Sequence, residues 1–345
     1  MAYRFKLKET LEAGVRRIAT EQLDKAIAAP SAGADRVVWV HETRKTVKRV
    51  RALLRLVRSG LPSGEWQREN CDLREVARLL SPLRDRHVMR DTIASLHADA
   101  DKRLLSALAW LEGESAAGGA GELAATADPD AAVGKAVAQL AAARDRLAGL
   151  DLDGTIVEVA GAGLAATQRA GRKALAAAEA DPSDENLHEL RKAVQTCWRQ
   201  SALVEAAWPE IMSVRQAVAR DLSQTLGEVQ DLAVLAAAAA ARADDSDQNR
   251  RDAERIVKAC KARQARLHAA SFPAVHRLFA LPPKSVSAEL ARCWPASSAL
   301  AVEEARQARV AAKQPLAADR DATLRIERVT SPARKIVSRK VRASG

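Results

Sequence analysis

The octapeptide Val40-His41-Glu42-Thr43-Arg44-Lys45-Thr46-Val47 returns as Leu187-His188-Glu189-Leu190-Arg191-Lys192-Ala193-Val194, an offset of 147 (41 to 188). Recurrence at a fixed offset marks a duplicated supersecondary unit. A second match follows in the same order. Arg74 aligns with Arg220, and Leu80-Ser81-Pro82-Leu83-Arg84-Asp85 aligns with Leu226-Gly227-Glu228-Val229-Gln230-Asp231, at an offset of 146 (80 to 226). We therefore expect two homologous halves, residues 1–148 and 149–296, joined through a Gly/Ala-rich segment. Residues 297–345 have no counterpart and form an extension: a helical piece, then a basic end from Arg325 to Arg342, expected to be disordered.

Around the repeat, strand signals are nearly absent and apolar residues recur at spacings of three and four, as in Leu73, Val76, Ala77 and Leu80. The fold class is all-α. Breaks are expected at Gly60–Gly64, Gly113–Gly121, Ala127–Pro129, Asp181-Pro182 and Pro282-Pro283. Asp181 followed by Pro182 and Asp184 reads as a helix start, with a capping carboxylate and a proline at the first helical position.

Placed on a helix at about 100° per residue, the segment from His41 sorts into two faces. His41, Arg44, Lys45, Lys48, Arg51, Arg55 and Arg58 share one arc, opposite Val47, Val50, Leu53, Leu54 and Val57. The row runs roughly 25 Å at about 1.5 Å per residue. Like charges at i and i+4, such as Arg44/Lys48 and Arg51/Arg55, repel, and only Glu42 offsets them locally. An external polyanion would turn this repulsion into attraction. The second copy keeps His188, Arg191 and Lys192 and adds Arg199. At the counterparts of Lys48, Arg51 and Arg55 it carries Gln195, Trp198 and Ala202, so the halves are expected to contribute unequally.

Composition points to the same class of ligand. The 345 residues carry 55 Lys plus Arg against 44 Asp plus Glu, a net charge of +11 that argues for an anionic partner. Aromatic residues are only 3%, too few to supply base-stacking platforms generously, so nucleic acid is the weaker alternative. The N-terminus is too charged for a signal peptide, and the longest apolar run, Leu232–Ala241, is roughly half a membrane span. A cytoplasmic protein that does not enter the membrane is expected. Cys71, Cys197, Cys260 and Cys293 are far apart and read as reduced structural thiols.

The sequence resembles the CHAD family, an α-helical domain named for its conserved histidines. The resemblance rests on His41-Glu42-x-Arg44-Lys45-x-x-Lys48-Arg49-x-Arg51 and on His188-Glu189-x-Arg191-Lys192, each followed about 40 residues later by Leu-x-x-x-x-Asp. It covers about residues 5–295. It implies two pseudo-symmetric four-helix units around a basic central groove that binds inorganic polyphosphate, association with polyphosphate granules and their other proteins, and no catalysis. Carried across, it implies that His41, Arg44, Lys45, Lys48, Arg51 and Arg55 line the groove from one half, and His188, Arg191 and Lys192 from the other. Arg199, Arg74 and Arg220 join them as expected ligand-binding residues, from helix position and from the repeat. The Glu-x-Glu-x-Lys signature of a fused triphosphate-tunnel domain does not occur.

Other chemistry is weighed and set aside. His-Glu at 41/42 and 188/189 begins a zinc motif, but Lys45 and Lys192 stand where the second histidine belongs. No metal and no cofactor are expected. A phosphohistidine intermediate is the enzymatic alternative, yet neither a carboxylate pair for a divalent ion nor a phosphate-binding loop accompanies the histidines. Asp85 and Asp231 are expected to form ion pairs with arginines of the motif helices. Gly161-Ala162-Gly163 after Thr155–Val159 imitates a dinucleotide-binding turn without a surrounding βαβ pattern.

Overall fold

The computed structural model describes residues 3–28, 35–122, 129–243 and 246–313, with side chains at 82–87, 114–122, 129 and 313 left aside. All regular structure among these residues is helical: α1 (Leu11–Ala28), α2 (Arg36–Leu56), α3 (Glu65–Leu79), α4 (Pro82–His97), α5 (Lys102–Glu122), α6 (Pro129–Ala148), α7 (Ile156–Ala180), α8 (Asp184–Leu203), α9 (Pro209–Ala241), α10 (Asp247–Leu278) and α11 (Pro283–Lys313). The chain divides into a unit ending at Ser298 and a second beginning at Ala299. The second is described only as far as Lys313, as helix. The basic end, Arg325 to Arg342, lies outside the described residues.

Helix α2 starts where the Asp35 carboxylate accepts from the N–H groups of Val37 and Val38, satisfying donors that a first turn leaves open. Its apolar face, Val47, Val50, Leu53 and Leu54, is buried as the periodicity requires, and the Trp39 indole donates to Ala26 O of α1 at 2.9 Å. The helix gives way to a short 3-10 turn at Arg58–Gly60. Helix α8 ends in the same manner, with a 3-10 turn at Glu205–Ala207, the same offset of 147 (58 to 205).

Helix α7 determines how the motif helices are held. Its start is a capping box: Thr155 and Glu158 satisfy each other's backbone N–H groups. The Thr155–Val159 stretch that imitates a strand is thus a helix start, and Gly161 and Gly163 lie inside the helix. A Cβ on Gly163 would stand 1.9 Å from Leu56 O, so this glycine serves a close crossing of α7 over α2. Gly171 performs the same service against the Phe279 ring, where a Cβ would approach to 2.2 Å.

Two expectations about boundaries need correction. Residues 113–121 do not break the chain but continue α5 to Glu122, since alanines interspersed with the glycines keep helical propensity high enough. Asp181 is not the cap of α8 but the residue closing α7, with extended φ −147° and ψ 101°, as befits a residue before proline; Ser183 precedes α8. Asp181 is used in another way, accepting from the Asn186 amide through its carbonyl (2.9 Å) and its carboxylate (3.1 Å).

The buried apolar residues form three clusters: one around α1, α2, α3 and α6, one around α7–α10, and one joining α4 and α5 to α9 and α10. All four cysteines are free; Cys197 and Cys260 are buried, whereas Cys71 is exposed.

Candidate functional site

Helices α2 and α8, which carry the two copies of the motif, pack against one another with opposite sense. The Gln200 amide donates to Ala52 O at 3.4 Å, while Arg55 reaches Thr196 Oγ1, one turn earlier on α8, at 3.4 Å. At the crossing lies a pocket of about 70 Å³ lined by Lys48, Arg51, Ala52 and Arg55 from α2 and by Lys192, Gln195, Thr196 and Arg199 from α8. Five of these eight side chains are cations, and none is acidic.

The three arginines carry the electrostatics. Arg51 is half-buried, and its Nε donates to Asn70 Oδ1 of α3 at 3.0 Å. Burial first, then Arg55 and Arg74, pull its pKa down to about 10. Arg55 is half-buried and lowered too, chiefly by burial, with Glu189 opposing and Arg58 reinforcing. Both Arg55 and Arg58 stand 5.7 Å from the centre of the Trp66 ring. Arg199 is only 7% exposed; it donates to Gln195 O of its own helix at 3.1 Å and stacks at 4.8 Å on Trp198. Burial lowers its pKa to about 10; Tyr3 opposes this, and Arg49 and Arg191 add to it.

None of these three has a carboxylate at ion-pair distance among the described residues. Elsewhere arginines are matched with acids: Arg17 with Glu9 (2.7 Å), Arg263 with Glu228 (2.5 Å), and Arg146 with the buried Glu69 (2.6 Å) and with Asp72 (2.7 Å). A cluster of partly desolvated cations left without counter-charge is unfavourable for the free protein, and an anion entering the pocket removes the cost.

The remaining expected residues lie around this centre. Lys45 pairs with Glu42 at 2.7 Å and Lys192 with Glu189 at 2.6 Å, the same i,i+3 arrangement in both copies. Arg44 donates to Ala77 O (2.7 Å) and to Ser81 Oγ (2.8 Å), tying α2 to the end of α3. Its counterpart Arg191 lies over α9, where a Cβ on Gly227 would stand 3.1 Å from its Nη2. Ser81 and Gly227 are aligned positions of the repeat.

His41 and His188 are exposed. The His188 pKa is lowered by burial, then by Lys192 and Arg191, while a hydrogen bond with Gln230 and the charge of Glu189 oppose the shift. Neither histidine lines the pocket at the crossing. Arg74 is exposed within electrostatic reach of Arg51. Arg220 is exposed and pairs with Asp221 at 3.4 Å, and it does not line the pocket. The Asp85 side chain lies outside the described residues, and Asp231 is half-buried on α9.

Sequence reasoning passed over Tyr3, Arg49, Trp66 and Asn70. Arg49 sits about 80° from His41 on the helix, just beyond the arc of the row. Trp66, Asn70 and Tyr3 come from segments that no periodicity connects to α2.

Two larger cavities are chemically less suited to a linear anion. One of about 610 Å³ has Arg172 committed to Phe279 O and Ala280 O, and His276 paired with Glu179 at 2.7 Å. The other, about 480 Å³, includes Glu254 beside Lys258 and Lys261. Among the described residues no group of three or more His, Cys, Asp or Glu could hold a metal ion, and no helix is long and apolar enough to cross a membrane.

The family model described as CHAD domain matches residues 17–240. Among solved structures the chain is similar to PptA from Streptomyces chartreusis, with a TM-score of 0.53 and 15% sequence identity, covering 79% of this chain and 98% of that one. At that identity the likeness concerns the fold. No curated protein matches the chain in sequence.

Proposed function

The chain belongs to the CHAD family, and from that premise we propose that it binds inorganic polyphosphate at the crossing of α2 and α8, as a binding protein and not an enzyme. The single observation that carries this reading is the convergence of Arg51, Arg55 and Arg199, at least partly desolvated and with no carboxylate at ion-pair distance among the described residues, on one pocket. A bare phosphate chain presents closely spaced negative charge and needs no stacking surface, which suits a narrow pocket lined by cations and amides. Lys48 and Lys192 extend the contact at the pocket, and His41, Arg44, Lys45, His188, Arg191 and Arg74 continue it outward; Arg220 completes the set by its place in the repeat.

We read the chain as two pseudo-symmetric halves enclosing this basic groove. Support comes from the equivalent Glu–Lys pairs, the equivalent placement of Arg44 and Arg191 over aligned positions, and the equivalent 3-10 turns. In the cell the protein would sit in the cytoplasm at polyphosphate granules, in the company of other granule proteins.

The test is competition at fixed salt. Unlabelled polyphosphate, DNA and RNA are titrated against one labelled polyphosphate bound to the full chain. Polyphosphate is expected to displace the label at far lower phosphate concentration than either nucleic acid. Equal displacement by DNA or RNA would replace this reading with general nucleic-acid binding.

A further inference from the structure

Helix α8 lines the pocket with Lys192, Thr196 and Arg199, spaced by four and then three as residues on one helical stripe are. Continued one turn toward the start of the helix, the stripe reaches Glu189, three residues before Lys192. The Glu189 carboxylate lies 2.6 Å from the Lys192 ammonium, and both side chains are about half exposed. Glu189 does not itself line the pocket. It therefore stands at the rim, close enough to Arg55 of α2 for its charge to oppose the lowering of the Arg55 pKa by burial.

The first copy of the motif holds the same pair in a different setting. Lys45 meets Glu42 at 2.7 Å with similar exposure, again three residues apart. Lys45, however, is not among the cations of the pocket. Only the second copy thus places its Glu–Lys pair where the lysine also faces the pocket. One of the five pocket cations is already engaged by a carboxylate in the free protein. An entering anion must either draw Lys192 away from Glu189 or settle beside a negative charge, and each weakens binding.

We propose that Glu189 is an affinity-setting residue of the anion site, a built-in competitor that holds Lys192 at the rim of the α2–α8 pocket until a polyanion takes its place. Glu189 acts through Lys192 and keeps the capture of a long chain reversible. The proposal rests on the polyphosphate reading for its ligand but not for its geometry.

The experiment uses the full chain with Glu189→Gln, Lys192→Gln, the two together, and Glu42→Gln. Affinity for long-chain polyphosphate is measured by titration at one salt concentration. Melting midpoints without ligand check the folding of each variant; these exposed positions are expected to shift them by no more than about 2 °C. Glu189→Gln is expected to strengthen binding about twofold to fivefold, the worth of an exposed ion pair turned into affinity. A purely structural role predicts the opposite sign, because a disturbed helix weakens binding. In the Lys192→Gln background the gain is expected to fall to less than half, and Glu42→Gln is expected to gain less than Glu189→Gln. Unchanged or weaker binding by Glu189→Gln overturns the proposal. An equal gain in Glu42→Gln overturns it as a mere effect of net charge, and so does an equal gain with and without Lys192, since independent effects add. If the wild type does not bind polyphosphate, the same variants are titrated with single-stranded RNA. The expected pattern there keeps the role of Glu189 and replaces the ligand; any other result overturns both.

Discussion

Replacing Arg51 by glutamine separates binding from stability. The Arg51 guanidinium is half-buried, bonded to Asn70 Oδ1, and held to a pKa of about 10 by burial, Arg55 and Arg74, against an ordinary 12.5. Carrying its charge at pH 7 costs no more than roughly 3 to 4 kcal/mol, the gap between those two values taken at about 1.4 kcal/mol per pH unit. Water reaching the exposed part of the head group and the loss of the Asn70 bond reduce the net gain from removing it to about 1 kcal/mol. Both folded and unfolded states carry the charge below pH 10, so the cost is constant through the neutral range and fades only as pH rises through about 10. Arg51→Gln is therefore expected to raise the ligand-free melting midpoint by about 2 °C. It should weaken polyphosphate binding about tenfold or more, the loss of one charge-assisted contact. Thermal melts with and without polyphosphate read both effects, because ligand stabilisation scales with the logarithm of affinity. A variant that melts lower than the wild type without ligand, or that keeps the full ligand-induced rise, refutes the reasoning.

Salt supplies a second prediction: with five cations lining the pocket, a log–log slope of about −3.5 is expected, so a fourfold rise in salt weakens binding about a hundredfold; a flat dependence measured by titration calorimetry would count against electrostatic capture. The halves are unequal at the pocket, so charge reversal of Lys48 with Arg55 is expected to cost more affinity than reversal of Arg191 with Lys192, provided circular dichroism shows both variants folded. Gly163→Ala forces a Cβ against Leu56 O and is expected to lower stability by about 3 kcal/mol, read as a fall in melting midpoint. Burial, Lys192 and Arg191 depress the His188 pKa, and a bound polyanion raises it, so binding takes up a proton. Polyphosphate affinity, measured by titration at several pH values, is then expected to rise as pH falls from about 8 to 6, by no more than about tenfold per pH unit for a single proton taken up, and His188→Gln should flatten the profile.

The all-α class and the buried face of α2 were legible because a 3.6-residue period needs only local sequence, and Val47, Val50, Leu53 and Leu54 are buried as that period demands. The row of cations was legible for the same reason. How the row is divided was not. Arg55 meets Thr196 and a pocket forms at Ala52 because α2 and α8, distant in sequence, cross there; likewise α7 passes close over α2 at Gly163, and nothing in the local pattern around 163 distinguishes that glycine from those at 113–121, which sit in an ordinary helical run. The cap at Asp181 was misread because a proline after an acid suits both the end of one helix and the start of another. Only the placement of Asn186, which bonds back to Asp181, decides between them.

Within the motif the side chains divide by task, and the division follows from where each stands on its helix. Arg44 is drawn to the exposed carbonyl end of α3, where a cation is favoured by the unsatisfied carbonyls. Arg191 lies in the matching place over Gly227, where the absence of a side chain leaves room for the guanidinium. Lys45 and Lys192 are each balanced by the glutamate three residues before them. In the His-Glu-x-Arg-Lys motif the arginine position thus reaches the neighbouring helix, while the lysine is balanced within its own. Two and three turns further along α2, Arg51 and Arg55 direct their hydrogen bonds, among the described residues, to the neutral Asn70 and Thr196, and α8 answers them with Arg199. The unduplicated residues at the crossing set its charge: of the five cations lining the pocket, Arg51 and Arg55 have the neutral counterparts Trp198 and Ala202 in the second copy, so without them only Lys48, Lys192 and Arg199 would face an anion there.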